Sequence, residues 1–111
     1  MASNKLDTRN FEAQALEVAD LLRALANEKR LMILCKLVEL GEANVSALAE
    51  DVDLAQSALS QHLAKMRNEG IVAYRRDGQT LWYYIADARI EKLFATMHGL
   101  FCSPRKRRGD R

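Results

Sequence analysis

The sequence predicts a mainly α-helical fold carrying one β-hairpin, in the order helix, helix, helix, helix, hairpin, helix. Three observations carry that prediction. Apolar residues recur at helical spacing through most of the chain. After Gly70 the period changes to that of a strand, in two runs rich in β-branched and aromatic residues around Asp77-Gly78-Gln79. A single proline among 111 residues fits a helix-rich chain, and 49% hydrophobic residues fit a folded one. The length argues for one domain with a modest core.

The first helix is expected from Phe11 to Ala26, where Leu16, Ala19, Leu22 and Ala26 recur and Leu21 and Leu25 widen the stripe. Asn27 is suited to cap a second helix, since its side chain accepts a backbone N–H bond from the first turn. That helix carries Leu31, Leu34, Leu37 and Val38 and stops near Gly41. A short third helix follows, capped by Asn44 and ending at Val52, then the turn Asp53-Leu54-Ala55. The fourth helix runs from about Gln56 to Glu69 and is closed by Gly70. Strands at Ile71–Arg76 and Thr80–Ile85 form the hairpin, with Gly78 available for a positive φ. Asp87 caps the last helix, which aligns Ile90, Leu93, Phe94, Met97, Leu100 and Phe101. The apolar stripes of the first and last helices are broader than one small domain readily covers, so a twofold homodimer is expected; the alternative is that both complete a monomeric core.

Short helix, tight turn, longer helix is the layout of a helix-turn-helix. At about 100° per residue, Ala58, Leu59, His62, Leu63 and Met66 of the fourth helix share one arc. The opposite arc holds Gln56, Ser57, Ser60, Gln61, Ala64, Arg67 and Asn68. Short amide and hydroxyl side chains both donate and accept, as base edges in the major groove require. A solvated polar face is the competing reading, and the hairpin shifts the balance: Arg75, Arg76 and Gln79 sit near its tip, where a wing meets phosphates or the minor groove. The expected DNA contacts are Gln56, Ser57, Ser60, Gln61, Lys65, Arg67, Arg75, Arg76 and Gln79. His62, on the apolar arc, reads as a packed core histidine.

Charge adds little to this. The net charge is +2, but the tail from Ser103 to Arg111 contributes +4, leaving −2 for the rest. The tail can touch phosphates or simply aid solubility, and the two readings stand level. Neither a membrane span nor a secretory signal is present, so a cytoplasmic protein is expected. Expected boundaries are a flexible segment 1–10, a DNA-binding and dimerisation domain 11–102, and a basic flexible tail 103–111.

These residues resemble the ArsR/SmtB family of winged-helix repressors. Leu25-Ala26-Asn27-Glu28-Lys29-Arg30-Leu31-Met32-Ile33-Leu34 is similar to the family's signature around its second helix. Gln56-Ser57-Ala58-Leu59-Ser60-Gln61-His62-Leu63 is similar to its recognition-helix motif, and Gly70-Ile71-Val72 to Trp82-Tyr83-Tyr84 to its wing. The resemblance spans residues 12 to 102 and implies a winged helix-turn-helix. It also implies a homodimer built from the first and last helices, an inverted-repeat double-stranded DNA operator and an inducer that weakens DNA binding. Ala55 departs from the pattern, because family members often carry a capping serine there.

Set against the metal-binding members of the family, these residues do not suit a metal inducer: Cys35 has no second cysteine in a Cys-x-Cys cluster, and Arg89, which cannot serve as a ligand, stands close to where relatives use a histidine. No cofactor is expected. Cys35 and Cys102 instead resemble the paired cysteines of the BigR, SqrR and HlyU branch, which senses reactive sulfur species and in some members oxidants. The resemblance implies a sensing dithiol, reduced when DNA is bound and oxidised or persulfidated on release. Lys36, Arg105, Arg107 and Arg108 are candidates to lower a thiol pKa. The alternatives are a metal-responsive or non-inducible regulator with structural cysteines, a regulator that activates by displacing a silencer, and a thiol oxidoreductase or peroxidase. The last lacks Cys-x-x-Cys, a phosphate loop and any plausible triad.

Overall fold

The computed structural model describes residues 8–102, with side chains from Phe11 to Phe101. Residues 1–7 of the expected N-terminal segment, the whole basic tail and the side chain of Cys102 lie outside the described residues. The elements are α1 (Thr8–Leu25), α2 (Glu28–Leu40), α3 (Val45–Val52), α4 (Gln56–Asn68), β1 (Val72–Asp77), β2 (Thr80–Ile85) and α5 (Ala88–Met97), followed by a π-helical turn, His98–Cys102. This is the expected order. The larger differences in boundary are that α1 begins at Thr8 rather than Phe11 and that the last helix widens after Met97 instead of running on to Phe101. Helices α1 and α4 end one residue early, and β1 is shifted by one residue, so that Asp77 belongs to the strand and not to the turn. Gly99, a poor helix former, lies inside the widened turn.

The caps explain where the helices begin and end. Asn27 Oδ1 accepts the Arg30 N–H at 3.1 Å, and Asn44 Oδ1 accepts the Ala47 N–H at 2.8 Å. At the end of α3 the Leu54 N–H bonds the Ala49 carbonyl at 3.0 Å and the Asp53 N–H bonds that of Glu50 at 3.4 Å. Asp53 adopts φ 58° there, completing a left-handed cap usually given to glycine. Gly70 makes the same closure after α4, with Ile71 N–H on the Met66 carbonyl at 2.9 Å and φ 79°.

Ala55 occupies the extended N-cap position of α4, at φ −63° and ψ 147°, and offers no side-chain acceptor. Serine fits that backbone and bonds an orphan N–H of the first turn. Ala55→Ser is therefore expected to stabilise the fold by about 1 kcal/mol, read as a rise of several degrees in Tm.

The chain divides after Leu31 into two compact units. In the first, Leu25 is buried, while Phe11, Leu16 and Leu22 of α1 are 60%, 72% and 52% exposed. The Arg30 guanidinium donates to the Ala24 carbonyl at 2.7 Å. In the second, Leu48 and Val52 of α3, Leu59, Leu63 and Met66 of α4, Val72 of β1, and Ile90 and Phe94 of α5 are almost fully buried. Ile33, Leu34 and Leu37 of α2 are buried as well. Leu100 and Phe101, beyond α5, are 69% and 81% exposed.

β1 and β2 pair antiparallel from Val72↔Ile85 to Asp77↔Thr80, leaving a two-residue turn in which Gly78 takes φ 65°. Ala43, between α2 and α3, pairs with Tyr83 through two backbone bonds of 3.0 and 2.8 Å, which ties the helical part to the hairpin.

Asp87 starts α5 by accepting the Arg89 N–H at 2.9 Å, and its carboxylate also pairs with the Arg89 guanidinium at 2.8 Å. The guanidinium contact, joined by the backbone N–H bonds, outweighs burial and lowers the Asp87 pKa from 3.8 to about 2. A carboxylate with a depressed folded-state pKa stabilises the fold above its ordinary pKa, and that contribution disappears as the proton is taken up. Asp87→Ala is expected to cost about 1 kcal/mol at neutral pH. In thermal melts, the gap to the wild type should narrow between the two pKa values, 3.8 and about 2.

Candidate nucleic-acid interface

Helix α4 has two faces. Leu59, Leu63 and Met66 are buried, Ala58 and His62 are half-buried beside them, and Gln56, Ser57, Ser60, Gln61, Lys65, Arg67 and Asn68 are exposed. Ala64, expected on the polar arc, is half-buried; the other residues of the expected core and polar arcs are where the period placed them. His62 lies on the core side.

The start of α3, the start of α4 and the hairpin tip enclose an open cleft of about 450 Å³, lined by Asn44, Val45, Ser46, Gln56, Ser60, Gln79, Thr80 and Leu81. Gln56 is held across it, its Nε2 donating to Ser46 Oγ at 3.2 Å. Of the residues singled out in the sequence, Gln56, Ser60 and Gln79 meet here. Ser57, Gln61 and Lys65 stand exposed on the same helix outside the cleft lining, and Arg76 is exposed on β1 one residue before its end at Asp77. Ser46 and Thr80 were not anticipated. Nothing in a single sequence aligns the first turn of α3 with the far strand of a hairpin, although their small hydroxyls match those of α4.

Two of the arginines expected to contact DNA are engaged within the protein. The Arg75 guanidinium bonds Glu42, with Nη2···Oε1 at 2.7 Å and Nε···Oε1 at 2.9 Å, and lies over the Trp82 ring at 5.7 Å. Arg67 lies over the Tyr74 ring at 5.1 Å and reaches its hydroxyl at 3.4 Å. Tyr74 in turn meets Tyr83 edge to face at 5.3 Å.

Cys35 is half-buried on α2, and Cys102 ends the π-helical turn. Lys36, next to Cys35, turns its ammonium to Glu39 at 2.8 Å and lies 4.0 Å from Asp51. The hydrogen bond with Glu39 raises the Lys36 pKa and lowers that of Glu39, so this positive charge is matched locally by carboxylates. Among the described residues, no three His, Cys, Asp or Glu side chains cluster as metal ligands would, and no helix is long and apolar enough to cross a membrane. Arg89 and Asp87 are occupied with each other.

Residues 27–74 match the family model described as "Bacterial regulatory protein, arsR family". The chain is 37% identical over 97 residues to the transcriptional activator HlyU of Vibrio cholerae, covering 87% of this chain and 89% of that protein. It is 38% identical over 94 residues to the biofilm growth-associated repressor of Agrobacterium fabrum, covering 85% and 80% respectively. The crystal structure of the transcriptional repressor BigR from Xylella fastidiosa superimposes with a TM-score of 0.77 at 36% identity, covering 87% of this chain and 98% of that one.

Proposed function

The chain belongs to the arsR family of bacterial DNA-binding transcriptional regulators, and from that premise we propose that it is a homodimeric repressor released from its operator by thiol oxidation or persulfidation. The DNA-reading part of this proposal rests on one observation: the cleft where Gln56 and Ser60 of α4 meet Gln79 of the wing. Side chains that both donate and accept line its α4 wall, and the exposed Ser57 and Gln61 continue that surface. In this reading Gln56, Ser57, Ser60 and Gln61 face base edges in the major groove, while Lys65, Arg76 and Gln79 face the backbone. Two copies present two such helices to the halves of an inverted repeat. Phe11, Leu16 and Leu22 of α1 offer one exposed apolar face for pairing copies, and Leu93, Leu100 and Phe101 offer another.

The switch is assigned to Cys35 and Cys102. A thiolate attacks the outer sulfur of a low-molecular-weight persulfide, takes that sulfur and expels the thiolate of the donor. The second cysteine attacks the protein persulfide, forming a disulfide and expelling hydrosulfide; with peroxide, the same two-electron oxidation passes through a sulfenic acid and releases water. Similarity to HlyU and BigR over most of the chain supports this reading, as does the position of Cys35 on α2, eight residues before Ala43, which pairs with the wing. The regulator acts in the cytoplasm, where its resting thiols stay reduced.

Fluorescence anisotropy of the reduced protein on a duplex from its own upstream region tests the switch, with persulfide donor, peroxide and zinc added in parallel. A persulfide donor is expected to weaken binding by about 5–150-fold, reversibly with reductant, and to have no effect on Cys35→Ser or Cys102→Ser. Binding that ignores thiol chemistry but falls with zinc would overturn it.

A further inference from the structure

We propose that Glu42 is a positioning residue for the wing, clamping Arg75 against Trp82 so that the hairpin meets DNA at a fixed angle, and that Arg75 acts as the clamped strut instead of a phosphate ligand. The inference rests on the DNA-binding reading above. Backbone register brings the three side chains together. Gly41, at φ 84°, turns the chain out of α2, and the next two residues are Glu42 and Ala43. Ala43 is locked to Tyr83 by two backbone bonds, which sets Glu42 beside β2; Arg75 is the cross-strand partner of Trp82, the neighbour of Tyr83. The Glu42 carboxylate therefore meets a guanidinium that lies over the indole, and takes both its Nε and its Nη2.

The face matters. Along β1 and β2, Arg75 and Trp82 share one side of the hairpin, while Arg76 shares the other with Leu81, which lines the cleft. Arg75 does not line the cleft. A planar guanidinium with its Nε/Nη2 edge and one face engaged fixes geometry in a way an ammonium does not. The ion pair itself is more than a third exposed on both sides, so it contributes little to global stability. Its consequence is local: α2's end, β1 and β2 share one anchoring point outside the cleft.

Operator binding by anisotropy at several salt concentrations separates a strut from a phosphate contact. Glu42→Ala and Arg75→Ala are each expected to weaken binding about tenfold, with the double variant no worse than either single one. Neither should change the slope of log affinity against log salt, whereas Arg76→Ala should reduce that slope by about 1.8, one phosphate contact being lost from each copy of the dimer. Glu42→Gln keeps an acceptor for the guanidinium and is expected to retain most of the affinity; Arg75→Lys loses the fork and behaves like the alanine variant. If Glu42→Ala tightens binding, or Arg75→Ala flattens the salt slope, Arg75 is a phosphate ligand that Glu42 masks and the strut is wrong.

Trp82 is the sole tryptophan of the sequence, so its emission reads the clamp without DNA. The spectrum should shift alike in Glu42→Ala and Arg75→Ala and stay unchanged in Arg76→Ala. An unchanged spectrum in Glu42→Ala overturns the clamp even where DNA binding fails altogether, and failure of the wild type on every duplex would instead overturn the DNA reading.

Discussion

Replacing Gln56 and Ser60 together by alanine is expected to lower affinity for the operator by about a hundredfold while leaving binding to unrelated duplex nearly unchanged. A base contact made through well-placed hydrogen bonds discriminates by about 1–3 kcal/mol, and the two residues share one wall of the cleft. Neither carries charge, so the counterion release that supplies non-specific affinity is untouched. Both are exposed, so the fold should tolerate the change with a shift in stability under about 0.5 kcal/mol. Competition titrations of operator against shuffled duplex check the expectation, with thermal melts beside them. Equal losses on both duplexes would mean that the substitutions disturb the helix instead of its reading of bases.

The largest effect on stability is expected at Phe94. Its side chain is 0% exposed, on the buried side of α5 one helical turn beyond Ile90. Truncation removes the ring's transfer free energy and leaves a cavity that surrounding helices fill only in part. Phe94→Ala is expected to cost about 3–5 kcal/mol. Against a typical total of about 5–15 kcal/mol for a domain, that is a large share. Tm should fall by about 15–30 °C for a chain of this size. Chemical denaturation of the reduced protein measures it directly, and a loss below about 1 kcal/mol would show that α5 is not part of the cooperative core.

Periodicity and cap chemistry made most of the fold legible. Asn27, Asn44 and Asp87 each accept the backbone N–H for which their position suited them. Gly70 and Gly78 take the positive φ that their turns demand. The two faces of α4 followed from spacing alone, since burial at 3.6 residues per turn leaves one arc polar. Asp53 was less legible. Aspartate tolerates the left-handed region but does not announce it, so the closure of α3 read only as a turn.

Arg75 shows the limit more sharply. From sequence it is one of two adjacent arginines near a hairpin tip, each suited to a phosphate. Its partner Glu42 lies 33 positions away, and only the Ala43–Tyr83 pairing brings the two together. Strand alternation then separates Arg75 from Arg76, which no count of basic residues reveals. Ser46 and Thr80 were missed in the cleft for the same reason: the cleft belongs to tertiary structure, while each residue alone fits an ordinary helix or strand position.

The central claim, sequence-specific DNA binding through α4 and the wing, is tested most directly by titrating the reduced protein against two labelled duplexes. One is taken from its own upstream region and the other is a shuffled sequence of the same composition, each at several salt concentrations. The account predicts a preference for the upstream duplex of about a thousandfold or more, with log affinity falling linearly against log salt on both. Equal affinity for the two duplexes, or no salt-dependent binding to either, would contradict it.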